Sequence, residues 1–594
     1  MVLGLLAAAG LLLSADLPAR QSVRVDKNLA ARMRDGVALR ADVYRPDAPG
    51  RRPVLLQRTP YSKNAGAAAV EGFRALAARG YVVIVQDTRG RYTSDGVARP
   101  HDEAEDGYDT IAWARSLPYA DGRVGMWGGS YLATTQLLAA TLQPEGLVAL
   151  FPSSSYASRY DMVFQGGAFY LGDGLSWNLG QAMDVRRRLL TPGLDRDGPI
   201  GLDADTRRAL NERWLWHVPL ATMDAMDLHR FAPGYRQMLD HPDYDAFWET
   251  FDIAARHDRF QVPAFHITGW YDTLLAGTLA NFTGLRARAA TDTARRHQRL
   301  IVGPWTHARP TLENTRIGDV DFGPEAGLAV DRLRDSWFDY WLPAGGDRTR
   351  GAYDPDTTAP VRLFVMGENV WRDEQEWPLA RARETTFYLR SDGRANTRGG
   401  DGTLNTRAPG EEAPDRFTYD PWHPVPTGAA GGYSRRPSDQ RAVEDRSDVL
   451  VYTSAPLTSD LEVTGPLRVT LWIASSAPDT DFTATLVDVH PDGTARALND
   501  GILRVRYRHS RTTPALLTPG APTEITIDLG ATSNLFRAGH RIRLHVSSSN
   551  FPRFDRNPNT GGIFGRDGEI GRADQTVFHD AARPSRLILP VIPR

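Results

Sequence analysis

One segment, Arg123-Val124-Gly125-Met126-Trp127-Gly128-Gly129-Ser130-Tyr131, reads in order as a β-strand, a sharp glycine turn and the first residue of a helix. Helical composition then continues to Leu142. A serine in such a turn is held out beyond the carboxyl edge of a sheet, in the geometry of a nucleophile elbow, and a glycine before it avoids a collision with neighbouring backbone. The G-x-S-x-G pattern is incomplete, because Leu132 stands at its last glycine position. Ser130 is therefore a candidate nucleophile, and an ordinary helix N-cap is the alternative.

Strand and helix patterns alternate on the N-terminal side of that segment. Residues 53–57 and 81–87 have the composition of strands, while 71–79 and 103–117 have the composition of helices. The run 82–85 is apolar at every position, which is typical of a strand covered on both faces in a parallel sheet. The first third of the chain therefore predicts an α/β layout.

The pattern changes twice on the C-terminal side. Residues 156–258 are rich in Leu, Met, Trp and charged residues at helical spacing, and strand patterns return at 262–268 and 299–302. Beyond 358 the chain shows short strands separated by turn residues, at 361–365, 386–389, 449–453, 467–473, 482–489, 524–529 and 540–546. Regular strands without long helices between them predict an all-β sandwich, interrupted by an irregular, Gly- and Pro-rich excursion at 391–447.

These patterns predict the domain organisation. An α/β domain occupies 22–155 and 259–357, a helical cap is inserted at 156–258, and an all-β domain follows at 358–594. The chain has 594 residues. At roughly 150 residues per domain, about three or four folding units are expected.

Composition excludes several classes of function. Lys plus Arg is 70 and Asp plus Glu is 72, so the net charge of −2 provides no basic field for nucleic acid. Cys is 0, which removes thiol nucleophiles and cysteine metal sites. Lysine occurs only at Lys27 and Lys63, which disfavours Schiff-base and phosphate-loop chemistry. No metal-ligand motif such as HExxH appears, so we predict no metal and no cofactor.

The N-terminus carries an apolar run at 2–13, followed by small residues. This run has the length of the apolar core of a signal peptide and is too short to span a bilayer. Residues 1–21 are therefore a possible signal peptide. A periplasmic or secreted location is favoured over a cytoplasmic one. No Lys or Arg precedes the run, and neither Ala15 nor Ala19 has a small residue two positions earlier. A misplaced start codon or a short buried helix is the alternative. No other segment is long and apolar enough for a transmembrane helix.

A serine hydroxyl needs a base, usually His, which a carboxylate orients in turn. Asp272 lies four residues past a predicted strand that ends at Thr268, and His307 follows a strand that ends at Val302. Serine, aspartate and histidine thus occur in the order used by α/β-hydrolases, the latter two on loops after strands. A turn or cap role for the aspartate and simple exposure of the histidine are the alternatives.

Two other histidines compete for the role of base. His266 falls inside a strand and His297 precedes one, so neither occupies a loop at the carboxyl end of a strand.

The tetrahedral oxyanion requires donors aimed at it. The backbone N–H of Tyr131 is one candidate, because the residue after the nucleophile opens a helix. The second candidate is the hydroxyl of Tyr61, in the loop Arg58-Thr59-Pro60-Tyr61-Ser62 after an early strand. No HGGG-type loop is present, and a packing role for Tyr61 is the alternative.

Several short motifs occur in one order along the chain. They are Thr59-Pro60-Tyr61, Asp87-Thr88-Arg89-Gly90-Arg91, Gly128-Gly129-Ser130-Tyr131, Gly269-Trp270-Tyr271-Asp272 and Gly303-Pro304-Trp305-Thr306-His307. In these motifs the chain resembles the CocE/NonD-type serine hydrolases, the group of cocaine esterase, glutaryl acylases and α-amino acid ester hydrolases, with X-Pro dipeptidyl-peptidases as relatives.

The resemblance implies an α/β-hydrolase domain interrupted by a helical cap and followed by a jelly roll. It also implies that Ser130 is the nucleophile, His307 the base and Asp272 its orienting carboxylate, with Tyr61 and the Tyr131 amide as the oxyanion hole. Asp87 and Arg89 match the family as well, and we interpret them as structural residues of their loop.

One departure from the family bears on the substrate, a small-molecule ester or amide. Members that take α-amino esters carry extra acidic residues just after the aspartate of the triad, whereas Thr273-Leu274-Leu275-Ala276 follows Asp272 here. An apolar wall favours a neutral acyl group, because an unpaired cation there would lose its hydration. Cap aromatics such as Phe164, Phe169 and Trp177 are candidates for the acyl site, with packing of the cap as the alternative. The prediction is an acyl esterase or acylase, and an X-Pro dipeptidyl-peptidase is the second hypothesis.

A different class of function also fits the pattern. Jelly rolls occur in lectins as well as in enzymes, so a carbohydrate-binding protein with an inert hydrolase core is a further hypothesis. Trp422 and Trp472 would then be sugar platforms. The complete set of serine, aspartate and histidine favours the enzyme.

Overall fold

The computed structural model describes residues 22–64, 66–98, 102–190, 201–307, 315–345, 353–428 and 435–593. The predicted signal peptide at 1–21 lies outside these residues. Within the described ranges, no helix has the length and apolar composition needed to cross a membrane.

The α-helices, in chain order, are α1 (Ala67–Ala78), α2 (Glu103–Ser116), α3 (Tyr131–Ala140), α4 (Arg159–Val163), α5 (Leu171–Leu190), α6 (Ala204–Ala209), α7 (Leu228–Phe231), α8 (Pro233–Asp240), α9 (Ala246–Glu249), α10 (Leu275–Arg288), α11 (Asp292–Arg296), α12 (Val330–Trp341) and α13 (Arg441–Glu444). The β-strands are β1 (Val23–Arg32), β2 (Ala38–Pro46), β3 (Arg52–Thr59), β4 (Val82–Asp87), β5 (Ala120–Gly129), β6 (Leu147–Ser153), β7 (Phe164–Gln165), β8 (Ala168–Phe169), β9 (Phe265–Gly269), β10 (Arg299–Gly303), β11 (Arg316–Ile317), β12 (Val320–Asp321), β13 (Val361–Val365), β14 (Val370–Glu374), β15 (Arg383–Arg390), β16 (Thr403–Asn405), β17 (Asp415–Tyr419), β18 (Leu450–Thr453), β19 (Leu461–Ser475), β20 (Asp481–Val489), β21 (Ala495–Arg504), β22 (Thr523–Phe536), β23 (Arg541–Ser547), β24 (Ala573–Phe578) and β25 (Arg586–Ile592).

The first sheet joins its strands in the order β1-β2-β4-β3-β5-β6-β9-β10-β13-β14. The pairs from β4 through β13 are parallel, whereas the pairs at both edges are antiparallel. Apolar side chains from α2, α3 and α10 cover one face, and those from α1 and α12 cover the other. Every residue of β4 is buried, as expected for a strand covered on both faces. The predicted α/β class is confirmed.

One strand lies in a different sheet from the one predicted. The sequence pattern assigned 361–365 to the all-β domain, but the structure pairs β13 in parallel with β10 and then turns it into the hairpin partner β14. The reason is the burial of its apolar face against Trp270 and Phe322 of the α/β domain. The first sheet therefore extends to Glu374.

The segment between β6 and β9 packs around its own apolar core. Helices α4, α5, α7, α8 and α9 contribute to this core, together with the two-residue strands β7 and β8. Phe551 of the C-terminal domain joins the same core. The cap is therefore held against the C-terminal domain.

The C-terminal domain is built from one continuous sheet of mainly antiparallel pairs. Its order is β17-β24-β19-β25-β15-β16-β18-β23-β20-β21, and β22 also pairs with β19. Strands along this whole order share one apolar core. The all-β class is confirmed, and the region predicted as an irregular excursion holds the short strands β16 and β17.

Candidate active site

Ser130 occupies the turn between β5 and α3 with a φ of 59° and a ψ of −123°. Non-glycine residues rarely adopt a positive φ, and such strain is found mainly at functional sites. Gly128 has a φ of 141°, and a Cβ at this position would lie 2.5 Å from the Cβ of Leu132. The glycine is therefore required for the turn. The Ser130 side chain forms no capping hydrogen bond with α3, so the alternative of an ordinary N-cap does not describe it.

Three side chains from separate loops are hydrogen-bonded in series at the carboxyl edge of the first sheet. Nε2 of His307 lies 2.9 Å from Oγ of Ser130, and Nδ1 of His307 lies 2.9 Å from Oδ1 of Asp272. These residues follow β10, β5 and β9, strands that lie near one another in the order of the sheet. Parallel strands place their carboxyl ends at one edge, which explains why residues 35 to 177 positions apart meet.

The Asp272 carboxylate is buried and fully hydrogen-bonded. The backbone N–H of Leu274 donates to Oδ1 at 2.8 Å, and the hydroxyls of Thr268 and Ser154 donate to Oδ2. Burial acts to raise the pKa of Asp272, but the charge of His307 and these hydrogen bonds outweigh it and lower the pKa. The residue is therefore an anion at neutral pH.

Burial and charge act on the pKa of His307 in directions opposite to those for Asp272. Burial acts to lower its pKa, but the charge and hydrogen bond of Asp272 outweigh burial, and the pKa lies above the ordinary value. Asp173 adds a smaller effect in the same direction. The imidazole is thus oriented by Asp272 and made more basic by it.

Tyr61 lies on the loop after β3, beside the serine. Its hydroxyl oxygen accepts a hydrogen bond from Nε1 of Trp177 at 3.0 Å. Burial raises the pKa of Tyr61, and hydrogen bonds with Trp177 and Ser130 act in the other direction. The hydroxyl therefore stays protonated at neutral pH, and Tyr61 lines the same cavity as Ser130.

Tyr131 is the first residue of α3, where a backbone N–H has no acceptor within the helix. Its side-chain hydroxyl donates to Oε1 of Glu103 at 2.8 Å. Arg58 pairs with the other oxygen of Glu103 at 2.7 Å, and these two side chains are buried, whereas Tyr131 is half-buried. This network fixes the side chain of the residue that directly follows Ser130.

A cavity of about 360 Å³ opens beside Ser130 and His307. Its apolar lining comprises Leu138, Met162, Val163, Phe169, Trp177, Met238 and Leu274. Asp173 is an acidic group of the lining, and it accepts a hydrogen bond from the Tyr170 hydroxyl at 2.6 Å. Of the cap aromatics considered above, Phe169 and Trp177 face the cavity, whereas Phe164 packs in the core of the cap.

The two competing histidines lie elsewhere. His266 is buried in β9 and bonded to Gln298 at 3.0 Å, and burial lowers its pKa to about 4. His297 ends α11 and packs against Trp341. Neither lines the cavity beside Ser130.

Several residues of the site were missed by the sequence analysis. Ser154 belongs to a run of three serines, 153–155, that begins at the last residue of β6, and polar residues at the carboxyl end of a strand are a usable signal. Glu103 and Asp173 lie within helices, and nothing local distinguishes them from surface acids. Asp87 and Arg89 agree with the structural interpretation, since Asp87 accepts a hydrogen bond from Lys63 N at 2.7 Å and Arg89 pairs with Asp106.

A serine, an imidazole and a buried carboxylate in series at the carboxyl edge of a parallel sheet are typical of serine hydrolases with an α/β-hydrolase domain. The family model described as X-Pro dipeptidyl-peptidase (S15 family) matches residues 35–309. The model of the X-Pro dipeptidyl-peptidase C-terminal non-catalytic domain matches residues 354–588.

Individual relatives agree with this class. Cocaine esterase of Rhodococcus sp. (strain MB1 Bresler) is 40% identical, and the match covers 96% of this chain and 99% of that enzyme. An α-amino acid ester hydrolase structure is 25% identical with a TM-score of 0.79, covering 98% and 99% of the two chains. The structure of an aminopeptidase from a marine sediment archaeon, Thaumarchaeota archaeon, has the same TM-score of 0.79 at 25% identity and covers 97% of each chain.

The chain belongs to the CocE/NonD-type serine hydrolases, the family of cocaine esterase. It is an enzyme of the serine hydrolase class, so the hypothesis of a carbohydrate-binding protein with an inert core is not supported. Trp422, considered above as a sugar platform, contacts the guanidinium of Arg556 at 5.4 Å.

Proposed function

We propose that the protein is an acyl esterase or acylase that cleaves esters or amides of neutral acyl groups through a covalent intermediate on Ser130. The observation that carries the proposal is the hydrogen-bonded series from Asp272 through His307 to Ser130 at the mouth of a largely apolar cavity. Cocaine esterase, at 40% identity, supports an esterase.

The proposed reaction begins when Oγ of Ser130 bonds to the carbonyl carbon of the substrate. Nε2 of His307 takes the hydroxyl proton as this bond forms, and Asp272 stabilises the resulting imidazolium. The carbonyl oxygen becomes an oxyanion, which the Tyr61 hydroxyl and the Tyr131 amide stabilise. Collapse breaks the bond to the leaving alcohol or amine, and His307 returns the proton to it.

Hydrolysis of the intermediate repeats these steps with water as the nucleophile. His307 removes a proton from water, the oxyanion forms in the same place, and the acid leaves as Oγ of Ser130 recovers its proton. The chemistry therefore needs only groups that the chain itself supplies.

The acyl preference rests on the cavity. Thr273 and Leu274 contribute to its wall, and most of the surface that lines the cavity is apolar. A neutral acyl group loses little hydration there, whereas an unpaired ammonium would lose much.

A second candidate is a peptidase that binds a substrate ammonium, and Asp173 is the observation that favours it. Its carboxylate lies in the same cavity and accepts a hydrogen bond from the Tyr170 hydroxyl. The family models named for X-Pro dipeptidyl-peptidase point in the same direction.

Two measurements test these proposals. The nucleophile is tested by labelling with a fluorophosphonate probe, which we expect for the wild type and not for Ser130→Ala. The chain offers a matched control in Ser391, whose hydroxyl lies 3.2 Å from Nε2 of His579 and 2.7 Å from Asp415 but is buried in the C-terminal domain. Ser391→Ala should label like the wild type.

The substrate class is tested by comparing kcat/KM for p-nitrophenyl butyrate with that for the p-nitroanilide of Ala-Pro. A higher value for the ester supports the esterase. A higher value for the dipeptide substrate that falls in Asp173→Asn would support the peptidase instead.

A further inference from the structure

A group of three metal-ligating side chains lies in the C-terminal domain, at the end of the β20 and β23 pair. In this antiparallel pair Asp488 faces Ile542 and Val489 faces Arg541, so the next position sets His490 opposite His540. Side chains two residues apart on a strand share one face, which puts Asp488 and His490 on the same side. We refer to Asp488, His490 and His540 as the β20–β23 cluster.

The polar atoms of this cluster converge. Nδ1 of His540 lies 2.8 Å from Oδ1 of Asp488, and Nε2 of His490 lies 4.0 Å from Oδ2 of the same carboxylate. One ligand atom from each residue can be chosen so that all lie within 4.8 Å of one another. Metal–ligand bonds of about 2.0–2.2 Å in a tetrahedral site require separations of about 3.3 Å, so small side-chain rotations would close the site.

A simple ion pair accounts for only part of this arrangement. The hydrogen bond between Asp488 and His540 links two strands and accounts for the positions of these two side chains. The His490 ring forms no hydrogen bond with any described residue, yet it packs against the His540 ring with centroids 4.4 Å apart. Two imidazoles thus lie close to one carboxylate, and the ring of one of them, His490, is held by no hydrogen bond from the part of the chain that the structure describes.

The cluster is largely shielded from solvent. The side chains are largely enclosed, with exposures of 8% for Asp488, 13% for His540 and 27% for His490.

We propose that the β20–β23 cluster binds one divalent transition-metal ion, with two imidazole ligands and one carboxylate. Such a donor set suits Zn²⁺, which is commonly bound by His nitrogen and Asp oxygen. A partly exposed cluster leaves a coordination position for water. None of the three residues lines the cavity beside Ser130, so the ion stabilises the C-terminal domain and takes no part in hydrolysis.

The test uses the full-length protein after chelation and transfer to metal-free buffer. Calorimetric titration with ZnCl₂ should show one tight site per chain, and Zn²⁺ should raise the thermal midpoint of unfolding. In His490→Gln or Asp488→Asn we expect binding to weaken by more than the roughly 10- to 100-fold that loss of an outer-shell partner costs. Both variants keep the size of the side chain, so the fold is retained.

A matched control is His229→Gln. His229 pairs with Asp224 on the surface of the cap but has 62% of its side chain exposed, and the metal-binding group found among the described residues does not include it. This variant should bind Zn²⁺ like the wild type. Absence of the tight site in the wild type, its retention in His490→Gln and Asp488→Asn, or its equal loss in His229→Gln would each overturn the proposal.

Discussion

The indole N–H of Trp177 donates a hydrogen bond to the hydroxyl oxygen of Tyr61, with 3.0 Å between the two atoms. Trp177 belongs to α5 of the cap, whereas Tyr61 follows β3 of the first sheet. The same indole stacks on the ring of Tyr131 at 6.2 Å between centroids. One cap side chain therefore contacts both residues that we assign to the oxyanion hole. Because Trp177 occupies a lone pair of the hydroxyl, the hydroxyl hydrogen of Tyr61 is directed to another acceptor.

The first prediction concerns Trp177→Phe, which removes the N–H and keeps an aromatic ring. A hydrogen bond of this kind contributes about 0.5–1.5 kcal/mol, so kcat should fall roughly 2- to 12-fold as the Tyr61 hydroxyl loses its orientation. Steady-state kinetics with p-nitrophenyl butyrate measure the effect.

Two further variants test whether Trp177 acts by orienting the Tyr61 hydroxyl or only by packing. Trp422→Phe changes an exposed indole of the C-terminal domain and should leave kcat unchanged. In a Tyr61→Phe background, Trp177→Phe should have little additional effect on kcat, because residues that act through one group are not additive. Full additivity of the two changes would contradict the orienting role.

The second prediction concerns the catalytic series. Ser130→Ala should abolish turnover, and His307→Ala should reduce it nearly as far, because nucleophile and base act as a unit. Asp272→Asn should lower kcat about 10⁴-fold, because His307 is no longer held in the required tautomer and orientation. His297→Ala is the control, and a larger loss there than in His307→Ala would show that the base is assigned to the wrong residue.

The third prediction concerns pH. His307 must be neutral to accept a proton, and its pKa lies above the ordinary 6.5 because Asp272 outweighs the opposing effect of burial. The acid limb of kcat/KM should therefore have its midpoint above 6.5, with activity lost as pH falls through it. Asp173→Asn removes a further negative charge and should move this midpoint to lower pH. Asp224→Asn, on the surface of the cap, should not move it.

Much of the site follows from sequence because its geometry is local to strand ends. Ser130, Asp272 and His307 each lie within four residues of the end of a strand, and parallel pairing brings such ends together whatever lies between them. The contacts that orient these side chains depend instead on tertiary packing. Trp177 meets Tyr61 only because the cap folds over the sheet edge, which no local pattern predicts.

Strand β25, which the sequence patterns did not predict, also depends on tertiary packing. β25 contains Pro590, which argues against a strand that pairs on both sides, yet it lies between β15 and β19. The register of β19 shifts between Val463 and Arg468, and a Cβ on Gly465 would lie 2.9 Å from Pro590. A bulge and a glycine in one strand thus accommodate a proline in its neighbour. This compensation comes from residues more than a hundred positions away and is invisible to a local reading.

The fourth prediction separates catalysis from the proposed metal site. Exhaustive chelation followed by gel filtration should leave kcat unchanged, because serine, imidazole and hydroxyl groups complete the proposed reaction. The assay temperature is kept well below the unfolding midpoint of the chelated protein. A rate that returns only when a divalent ion is added back would contradict the metal-free mechanism.

The last prediction concerns Tyr61→Phe, which keeps the ring and removes only the hydroxyl. A packing residue would lose little stability and no rate. An oxyanion donor should lose about 10²–10³-fold in kcat, equivalent to about 2.7–4 kcal/mol. The interaction strengthens as charge develops on the substrate oxygen, so kcat should fall far more than KM rises. Kinetics and thermal unfolding are measured side by side for wild type and variant. Loss of an oxyanion donor lowers kcat by a factor of about 10²–10³. A kcat within about threefold of wild type would therefore show that Tyr61 has only a packing role, and the Tyr131 amide would be left without its proposed partner in the oxyanion hole.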